Sequence, residues 1–387
     1  MSFFSQPDFD DHESVHACFD AESGLKCFIA IHSTALGPAW GGCRMWPYGS
    51  ENDAIRDVLR LSRGMSYKNA MAGLAYGGGK AVIIGDPRHG KSPALFAAFG
   101  RAVEQLGGRY ITAEDVGTSV EDMQSVARVT DHVGGIPKAG GYRGGDPSPS
   151  TASGVYEGMR AAVEVALGRD SLAGLTVAVQ GVGHVGFHLC RHLSEAGARL
   201  VVADLNPQSV ERAVGQFGAS AVTAEQILST EADILAPCAL GGILAARTIP
   251  ALKVKVVAGA ANNQLATDAD GERLHKRGIV YAPDYVVNAG GIIAVAAERE
   301  SEIDSAGVMA RIGRIHERTR DVLQLARDSG RPPHEVADEL AREIIRSAKR
   351  GGRLPVRRPG TDNTAPGGRP QADRGPAPRR VQAADRS

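Results

Sequence analysis

LTVAVQGVGHVG, residues 175–186, joins an apolar strand to a helix through three glycines at GxGxxG spacing. Gly181 permits a tight turn, Gly183 lets backbone approach a pyrophosphate, and Gly186 lets the helix lie close on the strand. The N–H groups and positive dipole of the helix's first turn then face the phosphates. The same spacing occurs where a helix merely packs on a strand and in Rossmann-like methyltransferase loops, so the motif alone leaves the ligand open. A second strand, residues 199–204, ends in Asp204, 18 residues beyond Gly186, where a carboxylate bonds the adenosine ribose hydroxyls. That carboxylate repels a 2′-phosphate, and Leu205-Asn206-Pro207 supplies no cation for one. The pattern predicts NAD rather than NADP, held by Gly181, Val182, Gly183, His184, Val185, Gly186 and Asp204.

Downstream, short apolar strands at 233–236, 254–258 and 279–282 alternate with helical stretches, the mark of a parallel sheet covered on both faces. Residues 285–299 and 305–349 read as helical, the latter broken at Pro332-Pro333. Upstream, residues 25–31 read as a strand. Residues 51–72 have helical spacing, with Ile55, Val58, Leu59, Ser62 and Met65 on one face and Ser50 as N-cap. Residues 81–84 form a short strand after a triple glycine, 93–106 a helix, 109–112 a strand, and the Gly/Pro-rich 134–150 an interdomain loop.

Composition narrows the function classes. The 387 residues carry 44 Lys+Arg against 44 Asp+Glu, unlike a basic nucleic-acid binder. The opening MSFFSQPDFDDHESVH has no apolar core of a secretory signal, and no apolar run approaches the roughly 18 residues of a membrane span. Five scattered cysteines, never spaced CxxC, fit reduced thiols in the cytoplasm better than disulfides or a zinc site, so no metal is expected. Residues 351–387, with eight Arg, six Pro and six Gly, read as a disordered basic tail. Most of the 48 glycines lie elsewhere, and their clusters read as places where backbone comes close to a ligand.

Those clusters neighbour isolated charges: GPAWGG (37–42), RGMSYKNAMAGL (63–74), GGGKAVIIGDP (77–87) and TAEDVGT (112–118). A lysine entering an apolar strand, as Lys80 does, is costly unless paired or functional, and a desolvated amine suits general-base work. Taken singly, Lys68 reads equally as a surface charge, and Asp115 as the N-cap of a following helix. Their joint presence with a dinucleotide segment favours a catalytic set.

These segments, with GLKCFIAIHSTALGPAWGGCRMWPY, DPSPSTASGVYEGM, APCALGG, AGAANNQLA and YAPDYVVNAGG, resemble the Glu/Leu/Phe/Val dehydrogenase family over residues 10 to 350, closest to its leucine and valine dehydrogenases. The resemblance implies an α/β chain: an N-terminal α/β substrate and oligomerisation domain (1–145) and a Rossmann-type, doubly wound NAD-binding domain (146–325), with a cleft between them. A C-terminal helix (326–350) returns to the first domain, and the tail (351–387) follows. It implies that Lys68 binds the substrate α-carboxylate, Lys80 activates water and Asp115 carries protons to and from the amine. Gly41, Gly42 and Met65 lie against substrate, and Asn262 orients substrate and nicotinamide. Thr151, Cys238 and Ala239 lie near the nicotinamide side. It implies an L-amino acid, its 2-oxo acid and ammonia as small-molecule partners, in a homo-oligomer.

At the positions matching the family's side-chain pocket stand Trp40, Ala113, Ile292, Ile293, Ala294 and Val295. All are apolar, which predicts a branched aliphatic substrate. Trp40 replaces the usual leucine and reshapes one wall, while Ala294 opens space. An aromatic substrate is the alternative, and a catalytically silent NAD-binding homologue a third reading, opposed by the presence of Lys68, Lys80 and Asp115.

Overall fold

In the computed structural model, which describes residues 3–136, 145–300 and 303–351, two six-stranded sheets carry the fold. The first runs β1 (Ser14–Asp20), β2 (Leu25–Ser33), β5 (Gly77–Ile84), β3 (Ala39–Trp40), β6 (Tyr110–Ile111), with β4 (Cys43–Trp46) also pairing with β5. β1 and β5 flank β2 antiparallel, whereas β3 and β4 run parallel to β5. Alternation sends successive side chains to opposite faces. Ala30 and Val82 pack under helix α1 (Glu51–Met71), against Ala54, Val58 and Leu59. Ile29, Ile31 and Ile83 pack on the other face against Leu95, Phe96 and Phe99 of α2 (Pro93–Glu104). Helix α1 starts where its sequence predicts, with the Ser50 hydroxyl accepting from the Asp53 N–H at 3.1 Å. Helix α3 (Val120–Ala127) follows β6.

The triple glycine lies inside a strand instead of preceding one, because β5 begins at Gly77. Its cause is crowding within the protein. A Cβ on Gly77 would strike the Ser33 carbonyl, one on Gly78 the Ser66 backbone nitrogen, and one on Gly79 the Tyr110 ring. Glycine lets α1 and the neighbouring strands close onto β5.

The second sheet is wholly parallel: β9 (Ser220–Ala221), β8 (Arg199–Ala203), β7 (Thr176–Gln180), β10 (Ile234–Pro237), β11 (Val256–Val257), β12 (Val280–Tyr281). Numbered within the sheet, that is 3-2-1-4-5-6, the doubly wound order. Val177, Val179, Val202 and Ile234 meet Met159 and Val163 of α4 (Ser148–Leu167) and Leu189 and Leu193 of α5 (His184–Glu195). Helices α6 (Pro207–Phe217) and α7 (Asp268–Lys276) complete the crossovers.

The predicted helix over 285–299 is two helices, α8 (Asp284–Val287) and α9 (Gly290–Ala297), broken at Asn288-Ala289. Gly290 and Gly291 bring α9 onto the start of α4, where a Cβ at Gly290 would strike the Ser150 carbonyl. After α10 (Ser305–Ser329), the Pro332-Pro333 pair starts α11 (Pro333–Lys349), so the last helix begins later than residue 326. It packs on α1, placing Val336, Ala337 and Ala341 against Tyr67, Ala70 and Met71. The predicted loop over 134–150 ends at Ser148, where α4 begins. Its residues 137–144, and residues 352–387 of the predicted tail, lie outside the described residues. No described helix is long and apolar enough to cross a membrane.

Candidate active site

Lys80 reaches its position through strand periodicity. It shares the α1-covered face of the first sheet with Ala30 and Val82, and is 4% exposed. Its ammonium lies 2.9 Å from Asp115 Oδ1. Asp115 comes from the segment after β6, which is laced to β4. Met45 N donates to the Val116 carbonyl at 3.0 Å, and the Thr118 hydroxyl donates to the Cys43 carbonyl at 2.9 Å. The Asp115 N–H donates to the Thr118 hydroxyl at 2.9 Å. Asp115 does not cap the next helix; Ser119 does. Burial alone would raise the Asp115 pKa, but the charges of Lys80 and Arg44 outweigh it and hold the carboxyl below its ordinary value.

Lys68, in the last turn of α1, is half-buried and paired. Its ammonium donates to Asn262 Oδ1 at 3.0 Å, 194 residues away, and burial lowers its pKa to about 8 despite the buried carboxylate of Asp284 nearby. Asn288 Nδ2 donates to the same Asn262 oxygen at 2.8 Å. Two donors converging on Oδ1 fix the amide's orientation and leave the Asn262 NH₂ to donate elsewhere. Asn288, at the break between α8 and α9, is 5% exposed, and its Oδ1 has no partner among the described residues.

Gly41 and Gly42 are buried between strands. A Cβ on Gly41 would strike the Gly79 carbonyl, and one on Gly42 would lie 2.5 Å from the Glu114 carbonyl and 2.8 Å from Asp115 Cβ. Met65 stands beside Gly41, half-buried, and the Ala113 carbonyl accepts from Cys43 N at 2.8 Å. Trp40 is fully buried, edge-on to Tyr76 with ring centroids 4.6 Å apart. It belongs to one cluster with Ile111, Ile293 and Ala294, which Ile292 and Val295 border. The large ring and the small Ala294 therefore sit in the same packed group.

The glycine loop after β7 is built as its spacing requires. Gly181 has φ +92°, and a Cβ there would lie 2.8 Å from that of Ala239. Gly183 faces open space and opens α5 without a side-chain cap, which leaves N–H groups of the first turn at His184 and Val185 for an anion. Gly186 cannot carry a side chain without striking the Gly181 carbonyl. The Asp204 carboxylate accepts from Val182 N and Asn206 N, both at 2.8 Å, so its orientation is fixed at the end of β8. Cys238 and Ala239 follow β10, with Cys238 N donating to the Gln180 carbonyl at 2.7 Å. The two loops meet between β7 and β10, where the sheet's winding reverses and dinucleotides bind in such sheets. Thr151 lies in the first turn of α4, its hydroxyl donating to the Pro147 carbonyl at 3.0 Å. An open glycine, free helix N–H groups and a fixed anionic carboxylate together fit a dinucleotide.

Three site neighbours escaped the sequence reading. Arg44 bonds Asp115, Asp284 stands behind Lys68, and Asn288 orients Asn262. All three lie within stretches quoted above, Arg44 in GLKCFIAIHSTALGPAWGGCRMWPY and Asp284 and Asn288 in YAPDYVVNAGG, but nothing in their spacing marks what each one touches.

Residues 12–132 match the family model described as Glu/Leu/Phe/Val dehydrogenase, dimerisation domain, and residues 203–349 match Glutamate/Leucine/Phenylalanine/Valine dehydrogenase. The chain belongs to the Glu/Leu/Phe/Val dehydrogenase family. It is 54% identical over 350 residues to leucine dehydrogenase of Geobacillus stearothermophilus, covering 90% of this chain and 95% of that protein. Identity to valine dehydrogenase of Streptomyces virginiae is 52% over 342 residues, covering 87% and 95% of the two chains. The solved structure of L-tryptophan dehydrogenase from Nostoc punctiforme superposes with a TM-score of 0.77 at 41% identity, covering 88% of this chain and 97% of that one. As a member of the Glu/Leu/Phe/Val dehydrogenase family the protein is an amino-acid dehydrogenase, from a family that works with a nicotinamide dinucleotide.

Proposed function

We propose that the protein catalyses the reversible oxidative deamination of a branched-chain L-amino acid (leucine, valine or isoleucine) to its 2-oxo acid and ammonia, with NAD as hydride acceptor. The observation that carries the chemistry is the Lys80–Asp115 pair at 2.9 Å, with Lys68 beside it at the Asn262 loop. The branched-chain preference rests on the apolar cluster that holds Trp40, Ile292, Ala294 and Val295, and on relatives named for leucine and valine. An aromatic substrate is the second reading, favoured by the kinship with a tryptophan dehydrogenase.

The Lys68 ammonium pairs with the substrate carboxylate, and the Asn262 NH₂ donates to substrate or nicotinamide. Asp115 takes a proton from the substrate ammonium, so the amine lone pair can assist loss of hydride from Cα. Bound NAD⁺ supplies the hydride acceptor, and the substrate becomes an iminium ion. Lys80 removes a proton from the attacking water and stabilises the carbinolamine oxygen. Asp115 returns its proton to the nitrogen, ammonia departs, and Asp115 accepts the hydroxyl proton as the carbonyl forms. The protons held by Lys80 and Asp115 then leave, one with ammonia as ammonium.

NAD is favoured over NADP because Asp204 offers an anion where NADP carries its 2′-phosphate. Leu205 and Leu240, 85% and 76% exposed, follow Asp204 and Ala239 and offer apolar faces to the cofactor rings. We take the first sheet with its helices as the substrate and subunit-pairing half, and the second as the cofactor half. A homo-oligomer is supported by the dimerisation-domain match and by β1, an edge strand with Phe19 70% exposed. Five free thiols suit the cytoplasm.

The test is Lys80→Ala. Turnover of L-leucine, followed by NADH absorbance, falls at least about a thousandfold while NADH affinity stays within about twofold. Retained turnover contradicts the role given to Lys80.

A further inference from the structure

Arg44 stands one strand from the reacting pair and has no part in the chemistry described above. In the parallel register of β4 and β5, Cys43 lies opposite Ala81 and Arg44 opposite Val82, which puts Arg44 on the Lys80 face of the sheet. Its planar guanidinium bridges two carboxylates, Nε donating to Asp115 Oδ2 at 3.0 Å and Nη1 to Asp57 Oδ2 at 2.9 Å. The Tyr48 hydroxyl donates to that same Asp57 oxygen at 2.6 Å, and Arg60 lies 3.6 Å from the other. Asp115 is thus divided: Oδ1 meets a lysine that can exchange protons, and Oδ2 meets an arginine that keeps its own throughout. Asp57 and Tyr48, both from the α1 side, hold the guanidinium from behind.

We propose that Arg44 is a positioning residue for Asp115: it fixes the carboxylate through Oδ2 so that only Oδ1 exchanges protons, and its permanent charge, moderated by Asp57, sets the proton affinity of the Lys80–Asp115 pair. The proposal rests on the roles given to Lys80 and Asp115. With Arg44 in place, Asp115 stays anionic when Lys80 is neutral, and the pair is not left as a buried carboxyl free to rotate. Burial alone would lower the Arg44 pKa, but Asp115 and Asp57 outweigh it and raise the value, so the bridge keeps its charge at any working pH. The other groups acting on Asp115 are Lys68 from α1, Glu114 beside it, the Cys43 thiol from β4, Tyr48 and the Tyr110 hydroxyl from β6. Burial holds the Cys43, Tyr48 and Tyr110 groups protonated, and among these groups Arg44 is the cation bonded to Asp115 that does not titrate.

The test is the pH profile of kcat/KM for oxidative deamination, in the full-length enzyme with NAD⁺. Its acid limb reports the proton affinity of the pair. Removing the fixed cation in Arg44→Gln raises that affinity, moving the limb up by about half a pH unit or more and lowering kcat at least about tenfold. Asp57→Asn removes the opposing anion and moves the limb the other way. Arg44→Lys keeps the charge but cannot bridge two carboxylates, so the limb stays within about 0.3 unit of the parent while kcat falls. A purely structural role lowers activity without these opposed shifts. Limbs that coincide in Arg44→Gln and Asp57→Asn, or that move in the same direction, overturn the proposal. Should Arg44→Gln not fold, a downward shift in Asp57→Asn with an unmoved limb in Arg44→Lys supports it, and any other pattern overturns it. Lys80→Ala and Asp115→Asn run alongside. Their inactivity keeps the site reading intact, so that unmoved limbs count against Arg44 alone, whereas turnover in either overturns both.

Discussion

At the scale of single residues, Lys68 makes a measurable claim. Its ammonium is the cation proposed to hold the substrate carboxylate, and burial lowers its pKa to about 8. The free enzyme therefore carries the full charge well below pH 8, half of it near pH 8, and loses it progressively above. A carboxylate lacking the amine, such as 4-methylpentanoate, titrates far below this range, so any change in its binding near pH 8 belongs to the enzyme. Its inhibition constant is expected to be flat from pH 6 to 7.5 and to rise about tenfold per unit above pH 8. A flat constant through pH 9.5 contradicts the assignment. Sequence alone made Lys68 a candidate because of its glycine-rich surroundings, yet could not show that its partner was Asn262, 194 residues on. Arg44 was harder still: its carboxylates lie 71 and 13 residues away, and nothing local in GGCRMW marks the arginine as paired.

At the scale of elements, the glycines separate into two kinds that look alike in sequence. Gly77–Gly79 and Gly41 are required because α1, Tyr110 and neighbouring backbone lie against them. Gly183 has nothing within 4 Å and faces where phosphates are proposed to sit. The sequence announced close approach at both places, but what approaches is settled only by packing. The two kinds respond differently to a methyl group. Gly78→Ala forces α1, which carries Lys68, away from β5, which carries Lys80, and is expected to destabilise the protein by at least about 2 kcal/mol. Gly183→Ala is expected to cost under about 1 kcal/mol of stability while raising the KM for NAD⁺ at least about tenfold. Thermal melts with cofactor titrations check both. Equal loss of stability in the two variants would show that Gly183 is also a packing glycine.

At the scale of the whole molecule, the parallel sheet was the more legible half. Its apolar strands alternate with helices, and one glycine motif fixes where the winding starts. The first sheet was less so. β3 has two residues and β4 four, and both owe their existence to pairing with β5, which local propensity does not encode. The return of α11 onto α1 joins the last described helix to the one that presents Lys68, through Tyr67, whose hydroxyl accepts from Arg342 Nε at 2.8 Å. The first sheet thus brings Lys80 to Asp115, α1 brings Lys68 to Asn262 from the second half, and Trp40 packs with Ala294 in one buried apolar cluster. The most direct test of this account is kcat/KM for L-leucine, L-valine, L-isoleucine, L-phenylalanine, L-tryptophan and L-glutamate, each with NAD⁺ and NADP⁺. One of the three branched-chain substrates with NAD⁺ is expected to exceed every other combination at least about tenfold; a preference for glutamate, an aromatic amino acid or NADP⁺ would contradict the proposed function.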